Sequence, residues 1–463
     1  MRTVGRIRII LALVTLCCGL VLAGSYLAAQ DGNELQGRDA PVEEAIDNDT
    51  SETVVDPRDN ITVVTADSSA FLSDAESARG ARRGSNLIAF APNGSIYYHT
   101  TNHTVYFDVD PVENTSRTVE YVYSDHLDPD DCPTEGYCSR NGVERVNLTT
   151  GDTTPVFSRI TPNVSETRWH DVDRIGEDRL LVADIYRDRA FVVNTTTGAT
   201  TWEWTARTDF NTSSGGPYPE DWTHINDVEY VELDGEPTVM VSVRNHDQVV
   251  FVDMETGLRD NWTLGSDGDY DTLYEQHNPD FIPAENGGPA VIVADSENGR
   301  AVEYQRRNGS WEQTWEWRDA RMTWPRDADR LPNGHTLMAD SNGDRVLEVD
   351  ENGTVVWSID IGFPYEAERL GTGDESTGGP SAAAMNSETR SPDPADRSLF
   401  ADIVALFPPS LVTAAAYVRP GWVGTTELLA AAGVGLAVPL WVVVELRHRS
   451  LSLRTLRGSV DRD

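Results

Sequence analysis

Between residues 61 and 369 the chain repeats itself roughly every 50 residues, the length of one propeller blade. One unit opens on Asp171-Val172-Asp173, passes through Leu181-Val182-Ala183-Asp184 and Phe191-Val192-Val193, and ends at Trp202-Glu203-Trp204. The next runs from Asp227-Val228-Glu229 through Val239-Met240-Val241 and Val249-Val250-Phe251 to Trp262. A third begins at Asn278-Pro279-Asp280 and ends at Trp315-Glu316-Trp317; a fourth runs from Asp327-Ala328-Asp329 to Trp357. Each unit holds short apolar or alternating runs separated by Gly, Asn and Asp turns, the pattern of strands and hairpins. Ser85 to Asp110 and Arg145 to Ile160 read as two weaker units. The sum predicts an all-β, six-bladed β-propeller closed around a central channel. A β-helix or a sandwich would also supply many short strands, but the regular period favours the ring.

The two ends have a different character. Ile9 to Ala29 is apolar without a charge and long enough to cross a bilayer, and Arg2, Arg6 and Arg8 precede it. Leu428 to Val444 is a shorter apolar run, followed by Arg447, His448 and Arg449. Basic flanks stay on the cytoplasmic side, so both termini are expected inside and the middle outside, with membrane lipid as a partner. The first run reads equally as a cleaved signal, with Ala28-Ala29 near a cut. The expected order is an N-terminal transmembrane anchor or signal over 1–30, an acidic linker over 31–60 and the propeller over 61–369. A flexible Gly/Ser/Pro-rich tether follows over 370–398, then an interfacial apolar segment over 399–420 carrying Pro408-Pro409. A transmembrane helix with a basic tail closes the chain over 421–463.

The formal net charge is −39, and all 37 basic residues are arginine. Surplus carboxylate keeps a surface hydrated at high ionic strength and points to a high-salt organism. Twelve Trp, 15 Tyr and 11 Phe separate the chain from acidic disordered proteins. The same charge excludes nucleic acid as a partner. Asn-x-Ser/Thr sequons, among them Asn93, Asn102, Asn147, Asn194, Asn211, Asn261, Asn308 and Asn352, are candidate N-glycan sites on an exported domain. Cys132 and Cys138 lie together in a polar stretch and are expected to form a disulfide, since two thiolates alone do not complete a zinc shell.

Only nine histidines occur, yet several share one phase of the repeat. His170 precedes Asp171-Val172-Asp173, His277 precedes Asn278-Pro279-Asp280, and Arg326 precedes Asp327-Ala328-Asp329. Asn226 holds that phase in the remaining unit, with His224 two residues earlier and therefore on the same strand face. Propeller symmetry carries equal phases to equal heights, so these side chains are expected to converge near the channel mouth. Arg244 puts a cation where neighbouring units carry Asp184, Asp295 and Asp340. A basic spot in a very acidic protein suits a tetrahedral oxyanion. Taken singly, a histidine at a strand start is better explained as a hydrogen-bonded pin between blades; three histidines and Arg244 at matched phases favour the functional reading. Three histidines could also ligate a metal, but the adjacent arginines would repel it. Neither a phosphate-binding loop nor a dinucleotide fingerprint is present, so neither a cofactor nor a metal is expected.

At Trp169-His170-Asp171-Val172-Asp173, Trp222-Thr223-His224-Ile225-Asn226, Ser242-Val243-Arg244-Asn245 and Gln276-His277-Asn278 the chain resembles the arylsulfate sulfotransferase family of six-bladed propellers, and most its membrane-anchored haloarchaeal branch. The resemblance spans roughly Leu87 to Ile361. It implies sulfuryl transfer from a phenolic sulfate donor to a phenol acceptor without a nucleotide sulfate. His277 would be the nucleophile, with His170, His224 and Arg244 around the sulfate. Asn245, Asn278 and Arg326 are candidate orienting groups, and Trp169, Trp222 and Tyr274 candidate aryl platforms. The terminal segments depart from periplasmic members. A non-catalytic surface binding module, or a metal-dependent propeller hydrolase, would share the fold.

Overall fold

The computed structural model describes residues 2–30, 42, 45–46, 52–67, 85–164, 167–391, 413, 423 and 425–460. The expected apolar segment at 399–420 lies outside the described residues, residue 413 excepted. Two compact units emerge: the terminal helices, and a domain over Pro41–Val418. In the first, Arg2–Gln30 and Thr425–Val460 are helical. Ile7–Leu27 and Ala430–Arg447 are long and apolar enough to cross a membrane. The helices meet through Arg8 and Glu445, 2.5 Å apart, and through Ser25, which donates to Glu427 at 2.8 Å.

The second unit is a six-bladed β-propeller. Blade I runs outward from Val105–Pro111 through Thr118–Leu127 and Cys138–Asn147 to Thr153–Pro162. Blade II starts at Trp169–Arg174, blade III at Ile225–Leu233, blade IV at His277–Ile282 and blade V at Pro325–Arg330. Blade VI joins the two ends of the domain: its inner strand is Pro364–Arg369, and its outer strands are Thr62–Ala66, Asn86–Phe90 and Ile96–Thr100. Ser85–Asp110, expected as one weak unit, therefore straddles blade VI and the inner strand of blade I. Arg145–Ile160 forms only the outer half of blade I. Cys132 and Cys138 form a disulfide beside that blade, with Cα atoms 5.8 Å apart.

In blades II to V the second strand is largely apolar on both faces, as Leu180-Leu181-Val182-Ala183 and Val291-Ile292-Val293-Ala294 show, because neighbouring blades cover both sides. Each blade interface holds its own core. Leu181, Val192 and Trp204 of blade II, for example, pack on Val228, Val241 and Val250 of blade III. Each large side chain so buried contributes about 1.5–3 kcal/mol. The hairpin joining second and third strands carries an ion-pair staple in three blades: Asp184–Arg189 at 2.8 Å, Asp295–Arg300 at 2.6 Å and Asp340–Arg345 at 2.8 Å.

The six inner strands align residue for residue. At one phase stand Phe107, His170, Asn226, His277, Arg326 and Tyr365. The next holds Asp108, Asp171, Asp227, Asn278, Asp327 and Glu366; two residues on stand Asp110, Asp173, Glu229, Asp280, Asp329 and Glu368. Pairing with the second strand slips at this phase in all six blades, as between Trp169 and Val172 or His277 and Asp280. A bulge re-aims the extra side chain, here where the strands enter the channel mouth.

Residues 371–391, expected as part of a flexible tether, pack on the propeller instead. Ser376 is fully buried, accepts from the Arg330 backbone N–H at 2.7 Å and donates to Asp280. The Ala382 N–H donates to Glu303 at 2.8 Å, and Arg390 pairs in the backbone with Glu316. Small residues permit this approach: a Cβ at Gly379 would strike the Arg330 carbonyl. Part of the predicted acidic linker is docked as well, since Asp56 accepts from the Trp357 indole at 2.8 Å.

Candidate functional site

His277 begins the inner strand of blade IV and is 2% exposed. Its Nδ1 lies 2.8 Å from the Ser296 hydroxyl and 3.2 Å from the Glu275 carbonyl. The carbonyl can only accept, and the Ser296 proton points to the Pro325 carbonyl at 2.7 Å. Nδ1 therefore carries the ring proton and Nε2 keeps its lone pair. Burial first, then Arg326, Arg244 and His224, hold the His277 pKa well below the ordinary imidazole value. The ring is therefore held neutral, with a nitrogen lone pair in a cationic setting.

His224 precedes the inner strand of blade III in a left-handed conformation (φ 47°). Its Nδ1 lies 2.6 Å from Asp221 Oδ1, and Arg244 Nη1 donates to its Nε2 at 3.1 Å. Burial and Arg244 lower His224, while Asp221 opposes them. Burial would raise Asp221, but the charge of His224, its hydrogen bond and Arg244 hold it well below the carboxylate range. Arg244 also lies 3.5 Å from Asp221 and 3.9 Å from Glu275. Asn245 accepts from Arg244 Nε at 2.9 Å and donates to the Asp221 carbonyl at 2.6 Å, fixing the guanidinium rather than facing outward.

The His170 ring stands 5.2 Å from that of His224 and packs edge-on against Phe107 at 4.4 Å. Burial, then His224 and Arg326, lower its pKa far below normal. Arg326 is 5% exposed, ion-paired to Asp67 at 3.2 Å and ringed by Trp324, Phe363 and Tyr365 at 4.5–4.8 Å. Five of the expected site residues, His170, His224, Arg244, His277 and Arg326, thus cluster at one end of the channel.

Other expectations need correction. Trp169 stacks on Phe157 in the core between blades I and II. Trp222 is fully buried against His246 and donates to the Ser214 carbonyl. Both serve packing, because their rings are buried in hydrophobic clusters between blades. Asn278 is not at the mouth; it lies in the acidic layer below, donating to Glu366 at 3.4 Å. Tyr274 lies beside Tyr270, with ring centroids 4.1 Å apart. Arg244 does not replace an aspartate. The hairpin register pairs Val243 with Gln248 where other blades pair Asp with Arg. Arg244 fills the following position, which holds Ile185, Ser296 and Ser341 elsewhere. In blades III and IV this position reaches the imidazole of its own blade: Arg244 to His224, Ser296 to His277.

Asp221, Ser296, Tyr365 and Arg168 belong to this surrounding, and the sequence reading missed them. The Asp221-Trp222-Thr223-His224 spacing signals the first, and Tyr365 shares the phase of His277. Buried His126, pushed down to about 4 by burial and then Arg168, adds another neutral imidazole nearby.

Among curated proteins none matches this chain. Solved structures similar to it include a protein of unknown function from Bacteroides caccae (TM-score 0.43, 11% identity, 66% of this chain and 98% of that one). Another is the periplasmic gluconolactonase of Pseudomonas aeruginosa (TM-score 0.42, 13% identity, 68% and 99%). A third is a 6-phosphogluconolactonase described as putative from Bacteroides fragilis (TM-score 0.41, 10% identity, 68% and 99%). Residues 198–362, which carry His224, Arg244, His277 and Arg326 but not His170, match the family model described as arylsulfotransferase (ASST), and with the propeller fold they fit a sulfotransferase.

Proposed function

We propose that the protein transfers a sulfuryl group from an aryl sulfate ester to a phenol through a sulfohistidine on His277. The observation that carries this reading is the held tautomer of His277, whose Nε2 lone pair sits among Arg244, Arg326 and His224. In the first step Nε2 attacks sulfur; the N–S bond forms, the S–O(aryl) bond breaks, and the electron pair leaves on the phenolate. Charge spread over the sulfuryl oxygens meets Arg244 and Arg326, as in phosphoryl transfer. In the second step Arg244 turns from His224 Nε2 to the sulfuryl oxygens, and the acceptor phenol gives its proton to the freed Nε2 while His224 Nδ1 donates to Asp221. Its oxygen takes the sulfur, the N–S bond breaks, and the pair returns to His277. The His224 proton then passes to water, which balances the phenolate released in the first step. Imidazole suits both roles because it is basic, nucleophilic and neutral here.

The apolar helices would anchor the propeller to a membrane, outside the cytoplasm, and sequons such as Asn93, Asn211 and Asn352 would carry glycans. Haloarchaeal origin accords with the acidic composition.

Mass spectrometry after exposure to 4-nitrophenyl sulfate tests the reading. A sulfuryl adduct on the His277 peptide supports it; undiminished turnover by His277→Ala overturns it. Protease protection in sealed membranes tests the sidedness.

A further inference from the structure

Beneath the imidazole layer the channel follows a rule. Each acid of the first ring accepts the backbone N–H of the middle residue in the next blade's inner strand. Asp108 accepts from Val172 at 3.2 Å, Asp171 from Val228 at 2.7 Å, Asp327 from Ala367 at 3.0 Å and Glu366 from Val109 at 3.2 Å. The rule fails at Asp227. The next blade presents Pro279 there, and proline has no N–H. Asp227 is 2% exposed, and its Oδ1 has no hydrogen-bond partner among the described residues. A buried, unpaired carboxylate is costly unless its charge is met. One carboxylate oxygen from each of Asp171, Asp227 and Glu375 lies within 4.8 Å of the others.

We propose that Asp171, Asp227 and Glu375 bind a calcium ion, which takes the place of the donor that Pro279 lacks. Three carboxylates form an oxygen-only donor set, the kind hard divalent cations take, whereas zinc sites are usually completed by nitrogen or sulfur. Calcium takes about six to eight oxygens in flexible geometry and is suited to a buried set of protein carboxylates, while magnesium demands near-ideal octahedral geometry and usually keeps several waters. A second acidic group, Asp108, Asp110 and Glu366, gives no such sign, because among the described residues none of its oxygens is buried without a hydrogen-bond partner, as Asp227 Oδ1 is. The ligands come from blade II, blade III and the docked segment 371–391. The ion therefore ties that segment into the channel, one layer below His170.

The test uses the full chain in detergent, stripped of metal with EDTA and titrated calorimetrically with calcium chloride. One calcium per chain and a raised Tm are expected. Asp227→Asn should weaken binding by more than about tenfold. Pro279→Ala keeps every ligand but restores an N–H for Asp227, and should weaken binding about tenfold. Wild-type protein that takes up no calcium overturns the proposal, as does wild-type affinity in Pro279→Ala. Magnesium binding as tight as calcium overturns the choice of ion. Should Asp227→Asn not fold, the wild-type and Pro279→Ala titrations still decide.

Discussion

His277 at the channel mouth and His103 beside blade I are both buried histidines, with opposite chemistry. His277 meets a hydroxyl, a carbonyl and cations, and is held neutral. His103 lies between Asp125 and Glu144, 3.1 Å from each, and stacks on Tyr123 at 3.8 Å. Burial alone would lower His103, but those two carboxylates push it up to about 9. One ring is kept as a base, the other as a cation. The difference lies in which groups face the ring, and it separates a histidine available for chemistry from one that pins structure.

The contrast breaks most sharply at His277. Replacement by alanine should cost at least about 10⁴-fold in turnover, since a nucleophile's loss cannot be shared by its neighbours. His103→Asn, in contrast, should leave kcat within about twofold and act on stability. Stopped-flow release of nitrophenolate measures the first, chemical denaturation the second. If both variants turn over alike, the distinction collapses.

Arg244 comes next. It donates to His224 and faces the position where sulfuryl charge would grow. Arg244→Ala should lower kcat by about 10²–10³-fold, the usual cost of one transition-state donor. Arg244→Lys should recover little, because one ammonium nitrogen cannot stand where both Nε and Nη1 of the planar guanidinium meet Asn245 and His224.

The clamp on His103 gives a prediction of sign as well as size. Its folded pKa of about 9 exceeds the unfolded value of about 6.5, so the proton favours the native state. That stabilisation is complete below about pH 6.5 and is lost as pH climbs through about 9, a change on the order of 2–3 kcal/mol. Asp125, Glu144 and the phenols of Tyr106, Tyr121 and Tyr123 face the ring, and the tyrosines stay neutral over that window because burial, their largest influence, raises them. Denaturation midpoints should fall from pH 6.5 to 9.5 in wild type and lose most of that slope in His103→Asn.

The propeller was legible because one physical demand, burial between two neighbours, recurs in every blade and writes the same apolar strand each time. Blade VI was harder. Its strands lie at opposite ends of the domain, so no contiguous stretch carries its pattern. Phe107-Asp108-Val109-Asp110 and Tyr365-Glu366-Ala367-Glu368 did carry the inner-strand signature, hidden because their first residues are aromatic rather than basic. The site was half legible. Phase brought His170, His277 and Arg326 together, but the place of Arg244 depended on hairpin register, which a one-residue slip reverses. Trp169 and Trp222 misled because proximity in sequence to a histidine says nothing of which face a side chain takes.

Ser296 offers the finest discrimination. It holds the Nδ1 proton of His277, yet the Glu275 carbonyl stands 3.2 Å from the same nitrogen and can accept in its place. Ser296→Ala should therefore cost about one hydrogen bond, 1–1.5 kcal/mol or roughly tenfold in kcat, with KM nearly unchanged because the ring is repositioned rather than removed. The rate of sulfuryl-adduct formation on His277 should fall by the same factor. A loss as large as that of His277→Ala would mean that Ser296 carries the tautomer alone and the carbonyl contributes nothing; no loss at all would mean that the carbonyl suffices.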